Sequence, residues 1–161
     1  SWSTSSDEEI RYFSGTAACE KQFTLPESLI QDGYSLELDL GDVRVIAEII
    51  VNGKNLGILW KAPFRVNLDG FVHKGVNDLE VRITNLWPNR LIGDERLPDD
   101  YEWRDKRIKK WPEWLANHTE RPSKRITFTT WKHWNKDSPL QRSGLLGPVI
   151  IRPYVQVKVF K

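Results

Sequence analysis

The sequence predicts an all-β fold, an antiparallel β-sandwich of jelly-roll type. Three features predict it: alternating apolar and polar residues, an Asn-Gly pair between two apolar runs, and Pro or Gly breaks at the spacing of short strands. Tyr34-Ser35-Leu36-Glu37-Leu38-Asp39-Leu40 is the clearest strand, with Tyr34, Leu36, Leu38 and Leu40 expected to face a core and Glu37 and Asp39 to face water. Gly41-Asp42 turns the chain into Arg44 to Val51, where Val45, Ala47, Ile49 and Val51 share one face and Ile46 and Ile50 lie on the other. Apolar residues on both faces predict a central strand. At Asn52-Gly53 a two-residue primed turn needs positive φ at both central positions, which these residues tolerate, so Lys54 to Trp60 is expected to return antiparallel. Pro63 interrupts the ladder because proline donates no backbone hydrogen bond. Phe64 to Leu68 and, after Gly75, Asn77 to Ile83 alternate again. Arg125 to Trp131 predicts a further strand, and Pro148 to Arg152 and Tyr154 to Phe160, split by Pro153, close the set.

Between Leu86 and Lys124 the alternation stops. Pro88, Pro98, Pro112 and Pro122 fall there with Trp87, Trp103, Trp111 and Trp114, so 86–124 reads as one long irregular loop insertion. A connection of this length is expected to be functional or to pack against something large. Its one helix-like piece is Trp111 to Asn117, where Pro112 and Glu113 suit a first helical turn. Residues 1–9 read as an N-terminal extension, and 1–161 as a single domain.

With 161 residues, 39% hydrophobic and 29% charged, the chain can bury one core, and no apolar run approaches the roughly 20 residues of a spanning helix. Ser1 to Ser6 lacks the basic and apolar regions of a signal peptide. The absence of methionine leads us to expect a processed product or an excised domain. The net charge of +2, from 24 basic and 22 acidic residues largely interspersed, gives no field that would favour nucleic acid. The one basic run, Arg104 to Lys110, is flanked by Glu102 and Glu113 and reads as a solvated face. Neither nucleic acid nor membrane is an expected partner. Cys19 is a single cysteine, which excludes an internal disulfide, and no Cys/His cluster proposes zinc. His73, His118 and His133 are scattered, and no Ser/His/Asp spacing points to nucleophilic catalysis.

Val51-Asn52-Gly53, Leu56-Gly57, Pro63-Phe64-Arg65-Val66 and Gly75-Val76-Asn77-Asp78-Leu79-Glu80-Val81 resemble the galactose-binding-like, "sugar-binding" jelly roll of β-galactosidase-type glycoside hydrolases. A second set covers Asn85 to Asp94, Arg121-Pro122-Ser123, Phe128 to His133, Asp137 to Leu140 and Ser143 to Val149. It is similar to the C-terminal region of bacterial α-L-rhamnosidases of glycoside hydrolase family 106, and the resemblance runs from Ile10 onward. That family keeps its catalytic carboxylates in a separate upstream barrel. The resemblance therefore implies an accessory sandwich without its own active site, with carbohydrate and the catalytic domain as partners. It also implies a secreted, periplasmic or cell-surface location in a bacterium. Trp103 to Lys110 matches no motif of the family.

For carbohydrate the candidate residues are Trp87, Asn89, Arg90, Asp94, Trp131, His133 and Trp134. Asn89, Arg90 and Asp94 could clamp sugar hydroxyls, the guanidinium donating and the carboxylate accepting, or Arg90 and Asp94 could pair and stiffen the loop. Trp87, Trp131, His133 and Trp134 stand among hydrogen-bonding neighbours, the composition of a platform that stacks on a pyranose face. In the alternative, Trp131 points into the sandwich and only Trp134 is exposed. Trp60, Trp111 and Trp114 are expected to pack inward. Glu8-Glu9, Asp94-Glu95 and Asp99-Asp100 are adjacent in sequence, whereas glycoside hydrolysis needs two acids about 5 Å or more apart across a bond, so no catalytic residue is proposed. No cofactor is expected. A structural calcium could use such oxygens, though no spacing selects its ligands. Two roles follow: carbohydrate recognition or presentation, and a structural domain that packs on the catalytic barrel and shapes its pocket.

Overall fold

The computed structural model describes residues 1–31 and 33–155. In chain order its α-helices and strands are α1 Glu8–Arg11, β1 Thr16–Leu25, β2 Tyr34–Asp39, β3 Asp42–Arg44, β4 Ile46–Val51, β5 Lys54–Leu59, β6 Arg65–Asn67, β7 Gly75–Thr84, α2 Pro88–Asp94, β8 Trp103–Arg104, β9 Arg107–Ile108, α3 Glu113–Ala116, β10 Gly144–Gly147 and β11 Ile150–Val155. Two compact units gather these elements. One holds Ser1, Gly15–Asn85 and the chain from Ser143, and the other holds Trp2–Ser14 and Leu86–Arg142.

The first unit is an all-β sandwich. One antiparallel sheet has the order β1-β7-β4-β5, a second β11-β2-β6, and β10 pairs with β3. Ala47, Ile49 and Val51 of β4, Leu79, Val81 and Ile83 of β7, and Leu36 and Leu38 of β2 are buried, as strand alternation requires of an inward face. β4 is central, between β7 and β5. Asn52 and Gly53 take φ of 50° and 76°, the primed geometry expected of the β4–β5 turn.

The Asn52 side chain then turns inward. Its Nδ2 donates to the Phe71 carbonyl at 2.9 Å and to Asn77 Oδ1 at 2.8 Å, while its Oδ1 accepts from the Asp78 N–H at 2.9 Å. Asn77, wholly buried, donates to the carbonyls of His73 and Gly75 and accepts from the His73 N–H. A buried amide satisfied in this way fixes the loop it bonds.

Several expectations are corrected here. Tyr34 is exposed at the start of β2, and Asp39 is buried rather than facing water. Its neighbours across the sheet explain the burial: Arg65 Nε lies 3.0 Å and Arg152 Nη2 3.2 Å from Asp39 Oδ2, and the Gly41 N–H bonds Oδ1 at 2.9 Å. That N–H foremost, with the two guanidiniums, outweighs burial and holds the Asp39 carboxyl below the usual range. Residues 125–130 form no strand, and Trp131 makes only an isolated bridge to Arg107. The backbone partners a strand would supply are taken by side chains: Asp94 accepts from the N–H groups of Ile126 and Thr127, and the Tyr101 hydroxyl donates to the Thr129 carbonyl. Pro153 does not split the closing strand, because β11 is an edge where a missing donor is tolerated. The rest of the expected strand to Phe160 lies outside the described residues.

The second unit is mostly irregular. Asp7 caps α1, its carboxylate accepting from the Glu9 N–H at 2.9 Å. α3 confirms the helix expected around Pro112. α2 was not expected, although Pro88 at its first turn is the usual start signal. β8 and β9 form a short hairpin that turns at Asp105, with φ 56°.

Candidate functional site

The frame of the second unit is polar. Four residues apart on α2, Arg90 and Asp94 share a helix face, with Arg90 Nη2 3.1 Å from Asp94 Oδ1. Asp94 is 1% exposed, and its Oδ2 accepts from the N–H groups of Ile126 at 2.9 Å and Thr127 at 2.6 Å and from the Thr127 hydroxyl at 2.8 Å. Asn89, also buried, clasps the backbone of Gln141, donating to its carbonyl at 2.7 Å and accepting from its N–H at 2.8 Å. Asp94 and Asn89 stitch distant chain segments to α2, and Arg90 pairs with Asp94 within the helix.

Arg125 is a second tie. Buried, it donates to the carbonyls of Pro98 and Leu97 and to the carboxylates of Glu95 and Asp99, at 2.8 to 2.9 Å. Asp100 accepts from Arg121 Nε and Ser123 Oγ, both at 2.5 Å. Burial alone would raise the Asp100 carboxyl, but these bonds, with the charges of Arg121 and Arg125, hold it below the ordinary carboxylate value. A general acid needs the opposite shift. Glu95 and Asp99 both face Lys132, at 3.3 Å and 2.9 Å, so Asp94, Glu95, Asp99 and Asp100 all serve as partners for cations. Among the described residues no three His, Cys, Asp or Glu side chains converge where a metal ion could sit. Arg125 and Arg121 were missed because their partners lie more than 20 residues away in sequence, and no local pattern marks them.

Aromatic rings surround this frame. Phe128 meets Tyr101 at 5.1 Å between centroids, Trp114 edge-on at 6.0 Å and Trp111 in a stack at 5.7 Å, and Tyr101 meets Trp103 at 4.8 Å. Trp131, His133 and Trp134 follow in sequence, each edge-on to the next at 5.6 Å and 4.8 Å. Trp131 is 58% exposed and Trp134 half-buried, the reverse of the alternative in which only Trp134 is outside. Trp60 at 66% and Trp111 at 61% are exposed instead of packed inward, whereas Trp114 is half-buried. Stacking on Phe128 covers one side of Trp111 and leaves the other to solvent.

A cavity of about 150 Å³ opens where Trp131, His133 and Trp134 meet Tyr101, and Thr127, Thr129, Glu95 and Lys132 add polar groups to its wall. The structure thus brings together three of the expected residues. Trp87 is exposed but does not line this cavity, and Asn89, Arg90 and Asp94 are turned into the protein.

No family model matches the chain. The rhamnosidase from Novosphingobium sp. PP1Y aligns with 95% of this chain and 12% of its own at 34% identity and TM-score 0.73. This chain matches a domain-sized stretch of a glycoside hydrolase. A Formosa agariphila protein, provisionally named a beta-glucuronidase, is 56% identical over 156 residues, which is 97% of this chain and 13% of that protein. A beta-glucuronidase from an uncultured Clostridium species covers 53% of this chain and 15% of its own at 26% identity and TM-score 0.48. The chain spans about an eighth of the length of the first two relatives. The likeness to a rhamnosidase carried by the motifs extends along nearly the whole chain in a solved structure.

Proposed function

We propose that this chain is a non-catalytic, carbohydrate-binding accessory domain of an α-L-rhamnosidase-like glycoside hydrolase, and that the Trp131 cavity receives the sugar. The observation that carries the reading is the coincidence, in one cavity, of an exposed indole, three further aromatic rings and hydrogen-bonding groups of both senses. An indole face stacks on the C–H face of a pyranose, while Thr127, Thr129, Glu95 and Lys132 give the cavity wall groups that can bond its hydroxyls, the Thr127 oxygen as an acceptor because its proton goes to Asp94. Asn89, Arg90 and Asp94 hold the wall in place without touching the sugar. A parent that meets glycans in this way works outside the cytoplasm, as a secreted, periplasmic or cell-surface enzyme.

A structural role against a catalytic domain is favoured by exposed rings that do not line the cavity, above all Trp60 and Trp87. A glycan array probed with the 161-residue chain separates the two readings. Binding that Trp131→Ala weakens by more than about 1 kcal/mol, with Trp60→Ala unchanged, supports the sugar site. A silent array assigns the chain to the structural role.

A further inference from the structure

We infer that the hairpin beside the cavity selects anionic saccharides, a step that rests on the sugar-site reading and narrows it. Arg104 lies directly opposite Arg107 in the β8–β9 pair, and Arg107 in turn bridges antiparallel to Trp131. The Ile108 N–H donates to the Thr130 carbonyl at 3.0 Å and the Lys132 N–H to the Lys106 carbonyl at 2.8 Å, which fixes this register. Residues directly opposite in antiparallel strands project to the same side. Arg104, Arg107 and Trp131 therefore form one row on one face, all three exposed, while Trp103 and Ile108 alternate to the half-buried face.

Like charges set directly opposite each other are unfavourable, and most neighbouring cations have an acid at hand. Lys109 pairs with Glu102, Lys110 with Glu113, and Lys132 with Asp99 and Glu95. Neither Arg104 nor Arg107 has an acidic partner among the described residues. Two adjacent guanidinium forks with no internal anion suit a carboxylate or sulfate, which each fork can bond through two N–H groups. Set in line with an exposed indole, that charge fits a pyranose bearing the anion, the ring on Trp131 and the charged substituent over the arginines. The hairpin lies within the Trp103–Lys110 stretch that matches no motif of the rhamnosidase resemblance, so the selectivity belongs to this chain's own departure from that pattern.

Calorimetric titration of the 161-residue chain tests this with four probes at low salt. They are a glucuronate-containing oligosaccharide, the same oligosaccharide with its carboxyl groups reduced to alcohols, a sulfated neutral oligosaccharide, and a single-stranded DNA of similar charge. The expected result is at least about tenfold tighter binding of one or both anionic saccharides than of the reduced one, shrinking as salt is added. Whichever anion binds more tightly identifies the source of the charge. Arg104→Gln with Arg107→Gln should remove that advantage and leave binding of the reduced saccharide unchanged, and the Lys-for-Arg pair should keep part of it. Equal affinities for charged and reduced saccharides overturn the inference while leaving the sugar site standing. An advantage that survives the Gln pair, or DNA bound as tightly as the glycan, overturns it as well. Failure to bind any saccharide removes the sugar-site reading and this inference with it.

Discussion

Replacing Asp94 by alanine should unfasten the second unit while the sandwich stays folded. The carboxylate accepts three hydrogen bonds from the Ile126–Thr127 segment and stands 3.1 Å from Arg90, whose Nε is buried without an acceptor. Alanine leaves two backbone donors and a hydroxyl orphaned, each worth about 1–3 kcal/mol when buried, and strands a largely buried guanidinium. These losses overlap, because water entering the void serves several of them at once. The measured cost of removing one member of a buried pair, about 3–5 kcal/mol, is therefore the better total. Against a domain stability of about 5–15 kcal/mol this is severe but local. Asp94→Asn keeps one accepting oxygen and should cost about half as much, near the 1.5–3 kcal/mol of a charge-assisted bond. Hydrogen exchange read by mass spectrometry resolves the segments. In the Ala variant, peptides within 86–97 and 125–142 should exchange about a hundredfold faster or more, since 1.4 kcal/mol is tenfold, while peptides within 16–84 keep their protection. Wild-type protection across 125–142 in that variant would refute the tie.

Three further outcomes follow from the same packing. The folded Asp100 carboxyl titrates below its unfolded value near 3.9, so its contribution to stability is complete at neutral pH and is lost as pH falls below about 4; urea midpoints from pH 7 to 3 should drop less steeply in Asp100→Asn. Gly41→Ala should lower the urea midpoint far more than Gly53→Ala, because a Cβ at Gly41 would sit 2.5 Å from the Gly147 carbonyl whereas nothing lies within 4 Å at Gly53, and both share the positive-φ cost of about 1–2 kcal/mol. Asn77→Ala should cost about 1–3 kcal/mol by orphaning the His73 N–H and one Asn52 donor, and unchanged thermal stability would contradict the network.

The hairpins of the sandwich were legible because a strand's side-chain period is local and Asn52-Gly53 states its own backbone angles. What periodicity cannot state is who supplies a hydrogen bond. Residues 125–131 carry the alternation of a strand, yet Asp94 and the Tyr101 hydroxyl, roughly 30 residues away in sequence, take the backbone groups a ladder would need. Asp39 fails for the same reason in reverse. Its position in the alternation faces solvent, but Arg65 and Arg152, on the strands to either side, make a buried carboxylate tolerable. Partners from elsewhere in the chain decide both cases, and neither run contains them.

The candidate site divides along the same line. Trp131 and His133 stand among polar neighbours in sequence and are exposed, whereas Trp60 and Trp111 stand at a strand end and on a helix start and are exposed too. An indole's exposure is set by the rings packed on it, as Phe128 is on Trp111, and those come from elsewhere in the chain. The basic run Arg104 to Lys110 shows how far counting charges can mislead. Read along the chain, its cations are balanced by Glu102 and Glu113 and suggest only a solvated face. Folding distributes that balance unevenly: Lys109 meets Glu102 and Lys110 meets Glu113, while the hairpin leaves Arg104 and Arg107 facing each other beside Trp131. A net charge of +2 argues against a strong long-range field, which is what broad attraction of nucleic acid needs. It does not argue against a local anion site, because an anion bound at about 3 Å responds to the nearest forks and not to the sum over the chain.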